Sequence, residues 1–466
     1  MKHKRNILFP VETINRELDL RLFLAAMCVE KDNRIFIGQH NVIDRLVRRM
    51  IGGIYLGKHI FKELFPRVNV EYYLNLKKRH FKYIHLDEEG AIYTGGEDNW
   101  HKELRERLNP NYLTADDYIC TWGKYQAEFY KAKQPACEAN IKVTGHPRFD
   151  LYKPFYSDFF SEETNRLREK YGEFILINSN LSFANNGLGI ADTFSPRLNY
   201  NPADNEKRTV FLDYWAHVTQ VLVNFIRLIN RLSIEFPEFK IIVRHHPAED
   251  RSLYDIIFKD FKNVLPLHEG SVTPWLLACR VLIHDGSTTG VEAYLGNKPV
   301  ITFKSIEHKA HDLFLPDSAS VKCYGEDQVV EQVKSVINQK NHNNETDLLN
   351  PLAFDLMANF KEDCFKNLVD VIRTAEEAAR QDNLPSSWDE KRFQSEEFKH
   401  KIINTGKNAV RPLFRSKYKD YIFYNSHFYG FEQKVIDQKM KRVGSILKKD
   451  FNYKLYSDSL LIVEAK

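Results

Sequence analysis

The sequence predicts two α/β domains, each built on a Rossmann-like parallel sheet, followed by a C-terminal extension. Three observations carry this expectation. At 466 residues the chain is too long for one ordinary hydrophobic core. Short β-branched runs alternate with amphipathic stretches at helical spacing, the pattern of βα units around a parallel sheet. That series runs twice, interrupted by a polar stretch at 151–172. The expected borders are 1–155, 156–385 and 386–466, where the βα rhythm fades.

In the first series "NILFPV" (6–11) is a strand and "NRELDLRLFLAAMCVEK" (15–31) a helix. "RIFIG" (34–38) is a strand and "NVIDRLVRRM" (41–50) a helix. "FKYIHLDEEG" (81–90) is a strand ending in acids, 118–132 a strand, turn and helix, and 141–150 closes the unit. The second series has strands at 173–180, 240–246, 263–267, 280–286 and 298–303. Between its first two strands lies a helix carrying Leu222, Phe225, Ile226, Ile229 and Leu232 at helical spacing, ending before Pro237. Ahead of that helix, 181–207 is a long Gly/Asn/Pro-rich loop, a kind that is usually functional in compact domains. The stretch 411–431 is dense in aromatics and bases and suits a membrane surface, an anionic lipid-linked acceptor, or packing back on the first domain.

Composition narrows the function classes. Hydrophobic content of 43% with 28% charged residues belongs to a globular chain. A formal charge of +4 argues against nucleic acid as the main partner. The six cysteines are scattered without metal-ligand spacing, as in a reduced cytoplasmic protein with no structural metal. The N-terminus lacks a secretory h-region, and no apolar run approaches the ~18 residues of a membrane span.

The unusual polar clusters fall at the carboxyl ends of expected strands, where ligands of doubly wound sheets sit. In "VLIHDGSTTGVEAYLG" a strand ends at His284-Asp285, and a turn of Gly286, Ser287, Thr288 and Thr289 opens a helix. Amides and hydroxyls there suit a phosphate, and Glu292 lies near enough for ribose hydroxyls. A ligand-free capping box, Thr289-x-x-Glu292, accounts for the same residues. In "IIVRHHPAEDRS", Pro247 holds His246 extended at the strand exit, where it can donate to a phosphate oxygen; Arg244 needs a partner, and a bound anion is one. The alternative is a pair of solvated histidines.

In the first domain "HLDEEG" sets Asp87, Glu88 and Glu89 at a strand end. Glu88 or Glu89 is the candidate base or nucleophile, its pKa raised by its acidic neighbour; a solvated turn is the alternative. Glu12 and Arg16 are candidate substrate contacts, or simply an i,i+4 pair. "VTGHPRFD" is a hinge from which Arg148 and Asp150 reach the cleft, or a plain turn. In "HEGSVTPWLL", Gly270 and Ser271 offer amides to a base or phosphate, while Thr273 serves as N-cap in the simpler account.

Taken in order, "VTGHPRFDLY", "VRHHP" and "HDGSTTGVEAYLGNKPV" resemble two-domain GT-B glycosyltransferases and their relatives. The last segment looks like the nucleotide-binding segment of UDP-N-acetylglucosamine 2-epimerases. The His-Pro pair is similar to that of bacterial sialyltransferases, capsule Kdo transferases and CDP-glycerol transferases. With "ILFPVETINRELDLRLFLA" and "HLDEEG" added, residues 5–385 resemble most the surface carbohydrate biosynthesis proteins.

That resemblance implies a nucleotide-sugar-binding second domain, with the pair His246-Pro247 and Ser287, Thr288 and Thr289 on the phosphate and Glu292 on the ribose; the reading of the residues adds Arg244 and Gly286 to this nucleotide site. The acceptor would then sit on the first domain, where the reading of the residues themselves offers Glu12, Arg16 and Arg148 as substrate contacts. Glu88, Glu89 and His246 are then the catalytic candidates. The expected activity moves a sugar from a nucleotide-activated donor to a surface polysaccharide or lipid-linked glycan. The His-Pro pair favours a CMP-linked ulosonic acid such as Kdo. Neither cofactor nor metal is expected, since no DxD-type pair sits at a strand end. Work on the cytoplasmic face of the inner membrane, with peripheral contact, fits that role. The rivals are a UDP-N-acetylglucosamine 2-epimerase, a polyol-phosphate transferase, and a non-catalytic envelope-assembly protein.

Overall fold

The computed structural model describes residues 4–58, 66–108, 110–338, 349–410 and 427–466. Two compact units emerge: one comprises 1–91, 101–151 and 354–466, the other 92–100 and 152–353.

The first unit is built on an eight-stranded sheet in the order β13-β14-β2-β1-β3-β4-β5-β6. Six strands are parallel: β1 (Arg5–Val11), β2 (Asn33–Gln39), β3 (Gly53–Gly57), β4 (Phe81–Leu86), β5 (Tyr118–Thr121) and β6 (Ile141–Val143). All seven residues of β1 are buried, as a central strand covered on both faces requires. The helix Ile14–Cys28 ends three residues earlier than its apolar pattern suggests, with Val29 already extended.

Strand β3 escapes sequence reading because it is five residues long and opens on glycines. Gly52 has φ +70°, and a Cβ there would lie 1.6 Å from the Pro385 carbonyl oxygen. The expected extension completes this unit instead of standing apart. β13 (Phe451–Ser457) and β14 (Leu460–Ala465) form a hairpin, and β14 runs antiparallel along β2 with Leu460–Val463 buried. The border expected at 385 also moves. The helix Cys364–Gln381 packs with the first unit, where Phe365 meets Phe23 at 5.6 Å and Glu376 accepts from Asn33.

The second unit holds a six-stranded sheet, β12-β11-β10-β7-β8-β9, parallel throughout. Its strands are β7 (Phe174–Asn178), β8 (Lys240–Arg244), β9 (Val264–Pro266), β10 (Val281–His284), β11 (Val300–Phe303) and β12 (Val321–Cys323). Strand order reverses between β7 and β10, the switch point of a doubly wound sheet.

The helix Asn205–Glu235 is capped by Asp204, which accepts from the Lys207 amide. Its stripe of Leu222, Phe225, Ile229 and Leu232 is buried on the sheet, each side chain worth roughly 1.5–3 kcal/mol. The loop before it is ordered by aromatic contacts. Phe183 meets Phe211 at 4.9 Å, and Phe194 meets Trp215 at 5.3 Å. Residues 92–100, though they follow β4 in sequence, belong to this unit. Gly95 donates to the Asp312 carbonyl at 3.0 Å, and Trp100 packs on Phe314 at 5.4 Å.

All six cysteines are buried free thiols. Among the described residues no helix is long and apolar enough to cross a membrane. Most of the aromatic-basic stretch, 411–426, lies outside the described residues.

Candidate functional site

In the second unit Asn178 of β7 is in register with Arg244 of β8 on one side and His284 of β10 on the other. One strand therefore separates the two, about 10 Å at ordinary strand spacing. The His-His-Pro exit and the glycine turn thus leave the same edge of the sheet as near neighbours.

Glu249 organises the first of these exits. Its buried carboxylate accepts from Ser179 Oγ at 2.8 Å, the Leu181 amide at 3.0 Å, the His246 amide at 3.1 Å and Tyr254 Oη at 2.5 Å. The carbonyl of His246 accepts from His245 Nδ1 and the Glu249 amide, and its ring Nδ1 accepts from the Ala248 amide. Nδ1 being an acceptor places the ring proton on Nε2, so exposed His246 presents an N–H donor. The two histidines are unlike. His245 is buried beneath its neighbour, 5.0 Å from the ring of His268, and His268 is pushed down to about 4 by burial and by Arg244. Arg244 needs no anion: it is buried, donates to the carbonyls of Glu269 and Gly270, and lies 5.3 Å over Trp275.

The glycine turn is braced from below by His284. Its Nδ1 accepts from the Ser287 amide at 3.1 Å and its Nε2 meets Ser320 Oγ at 2.9 Å. Burial, reinforced by Lys304, pushes this imidazole down to about 3, so it is neutral. Gly286 has φ +57°, which favours glycine.

The helix that follows, Thr288–Leu295, is capped by Ser287, so the alternative account of a Thr289–Glu292 capping box does not hold. Ser287 Oγ accepts from the Thr289 amide, and the Ser287 carbonyl from the Gly290 amide. Among the described residues the Thr288 N–H has no partner within the protein. The cradle is thus smaller than the sequence suggests, because the Ser287, Thr289 and Gly290 amides are spent within the turn, while the Thr288 amide and the Ser287 and Thr288 hydroxyls remain for a ligand. Glu292 is only 4% exposed and accepts from Tyr152 Oη at 2.9 Å, an interior position unlike the ribose contact expected of it. Thr273 is the first residue of its helix, not its cap, and pairs with the same tyrosine.

A polar hollow of about 80 Å³ lies at the switch point. Its lining includes Asn180, Tyr214, His217, Asp285, Lys304 and His311, beside Gly286. Except for Asp285 and Gly286, these escaped sequence reading. Lys304 could have been found, since it follows a strand at its carboxyl end; the histidines come from a helix and a loop with no local signature.

In the first unit Asp87, Glu88 and Glu89 follow β4 as expected, but their environments differ. Glu88 is 3% exposed. Its carboxylate faces His146 Nε2 at 3.3 Å, Arg148 at 3.4 Å and Arg21 at 3.7 Å. Burial by itself pushes this carboxyl up, but His146, Lys58 and Arg148 outweigh it and hold it well below the usual carboxylate range. The expectation of a raised pKa is therefore reversed, because cations and not acids surround Glu88.

Arg148 is equally interior, and Asp150 is fully buried, accepting from the Cys364 amide and Asn359. Neither reaches solvent as a hinge residue would. Gly145 (φ +65°) is locked there, since a Cβ would lie 2.1 Å from Cys364 Sγ. The exposed members are Glu12, whose carboxylate pairs with Lys58 at 3.0 Å, and Glu89, which faces Arg16 and Arg107 at 3.7 Å each.

The fold and site together define a class: an α/β chain with two Rossmann-like sheets, one bearing a His-Pro strand exit beside a glycine turn. Among solved structures the chain is similar to a variant of the wall teichoic acid polymerase TagF, at TM-score 0.48 and 11% identity over 81% of this chain and 90% of that one. It is also similar to the Methanocaldococcus jannaschii UDP-GlcNAc 2-epimerase in complex with UDP-GlcNAc and UDP, at TM-score 0.46 and 13% identity over 80% and 99%. A third is S. aureus MnaA with UDP, at TM-score 0.44 and 11% identity over 83% and 100%. No family model and no curated protein matches the chain.

Proposed function

We propose that this protein is a glycosyltransferase that moves a sugar from a nucleotide-activated donor to a glycan acceptor of the cell surface, working on the cytoplasmic side of the membrane. One observation supports this reading above the others. His246, held through its amide, carbonyl and Nδ1, presents Nε2–H beside the Ser287–Thr288 turn, one strand away.

A phosphate of the donor would accept from His246 Nε2–H, the Thr288 amide and the turn hydroxyls. As the bond from sugar carbon to phosphate oxygen breaks, negative charge gathers on the departing oxygen, where these preorganised donors stabilise it. Arg244 and Glu292 act from the interior, one fixing the 269–270 carbonyls and the other the Tyr152 hydroxyl. Pro247 keeps the His246 exit extended.

In the acceptor-binding unit Glu89, open to solvent where Glu88 is buried, is the better candidate base. Glu88 holds Arg21 and Arg148 in place, and Glu12 and Arg16 are the accessible substrate contacts.

The test is a thermal-shift series with CMP, CDP, UDP and GDP, since a ligand bound only by the folded state raises Tm. We expect one nucleotide to stabilise the wild type and not His246→Ala. Stabilisation by none, or equally in both proteins, overturns the reading.

A further inference from the structure

The hollow at the β7/β10 switch point has a composition that selects its occupant. Among the described residues Asp285 has no hydrogen-bond or ion-pair partner within the protein, although it lines the cavity and is partly buried. Burial raises its carboxyl to about 6 despite Lys304, with Asp317 and Asp312 adding to the rise. The ammonium of Lys304 is already committed, at 3.1 Å to Asp312 and 2.7 Å to Asp317. Burial and the neighbouring His308 push the imidazoles of His217 and His311 down, His311 to about 4, so both are neutral near pH 7. Three carboxylates thus face one lysine, and the hollow carries an excess of negative charge.

That balance repels a phosphate or a carboxylate and suits groups that donate hydrogen bonds. The rings of His308 and His311 are stacked at 4.1 Å and 18°, an arrangement in which their lone pairs do not converge on a cation. No cluster suited to a metal occurs among the described residues. The remaining chemistry is that of hydroxyl groups, which donate to Asp285 and Asp312 and accept from neutral imidazole N–H. Tyr214, 37% exposed, and Leu313 offer an apolar flank for C–H faces. The volume of about 80 Å³ corresponds to roughly five to eight water positions, about the hydrogen-bonding complement of one monosaccharide. Asp285 and Ser287 flank Gly286, so the hollow adjoins the phosphate turn within two residues, at most about 7 Å of chain.

We infer that this hollow is the subsite for the neutral, hydroxyl-rich glycosyl or polyol portion of the donor, gripped by Asp285. The inference rests on the nucleotide-donor reading for what that portion is attached to, and it narrows that reading. A CMP-linked ulosonic acid would bring its own carboxylate against Asp285 and Asp312, so a donor with an uncharged sugar is the one selected.

The test compares bare CMP, CDP, UDP and GDP with CMP-N-acetylneuraminic acid, CDP-glycerol, UDP-N-acetylglucosamine and GDP-mannose by calorimetry. It uses wild type, Asp285→Asn, Tyr214→Ala and His246→Ala. Asp285→Asn and Tyr214→Ala should weaken the neutral sugar- or polyol-bearing form of the preferred nucleotide about tenfold or more. The bare nucleotide should change less than about twofold, and His246→Ala should weaken both. Equal losses for bare and loaded nucleotide, no loss at all, or preference for the carboxylate-bearing donor overturns the inference.

Should no nucleotide bind, the nucleotide-donor reading fails, and saturation-transfer NMR with glycerol and free N-acetylglucosamine judges the hollow alone. Signal lost in Asp285→Asn keeps it as a polyol subsite, and absence of an Asp285-dependent signal overturns it. The variant's unchanged melting temperature excludes misfolding, since Asp285 holds nothing together.

Discussion

Glu88 and Glu89 are adjacent in sequence and opposite in environment, and substitution separates them. Replacing Glu88 by Gln keeps the shape but leaves Arg21 and Arg148 buried without their counter-ion. Breaking a buried pair in this way costs about 3–5 kcal/mol, to be read from urea denaturation. Glu89→Gln, at a half-exposed side chain, should shift stability by less than about 0.5 kcal/mol while lowering turnover.

The sign of the pH effect follows from the depressed folded-state pKa of Glu88. Its stabilising contribution is complete above the unfolded carboxyl value of about 4.3. It is lost as pH falls below that value through the folded one. Denaturation between roughly pH 5 and pH 2 should therefore be less steep in Glu88→Gln than in the wild type.

At the scale of the element, the turn between β10 and the helix Thr288–Leu295 depends on a histidine and a glycine packed face to face. A Cβ on Gly290 would lie 2.4 Å from His284 Nε2. Gly290→Ala must displace the imidazole that accepts from the Ser287 amide. Overpacking of this kind costs about 1–3 kcal/mol. The variant should lose nucleotide stabilisation in the thermal-shift series although Ala is a better helix former than Gly. An alanine variant that binds nucleotide as the wild type does would show that the brace is irrelevant to the cradle. Glu249 works similarly on the other exit, tying the β7 and β8 loops through four donors.

At the scale of the molecule, the C-terminal residues are part of the first sheet. Strand β14 covers the edge of β2 with buried Leu460, Leu461, Ile462 and Val463, and leaves the half-exposed, lysine-bearing β13 outermost. Such an outer strand limits edge-to-edge pairing. A chain truncated after Leu447 exposes the β2 edge and the apolar face of the sheet beside it. It should aggregate or elute as large species in size-exclusion chromatography, where the full chain does not.

How much of this was legible differs by kind of interaction. Period-2 and period-3.6 patterns are local, so the sequence by itself determined β1, the stripe of Leu222 to Leu232, and the strand exits at His246 and Gly286. The strand–helix alternation likewise determined the two parallel sheets. Strand β3 and the hairpin lay beyond that reading, because one is short and bounded by glycines and the other is antiparallel, outside the βα rhythm. Charge state was not legible either, since it depends on what burial brings alongside. Only the tertiary structure decided that Glu88 faces cations, that Arg244 and Glu292 face the interior, and that Asp285 shares a hollow with His217 and His311. Desolvation and Coulomb terms act between residues distant in sequence, and no local pattern records them.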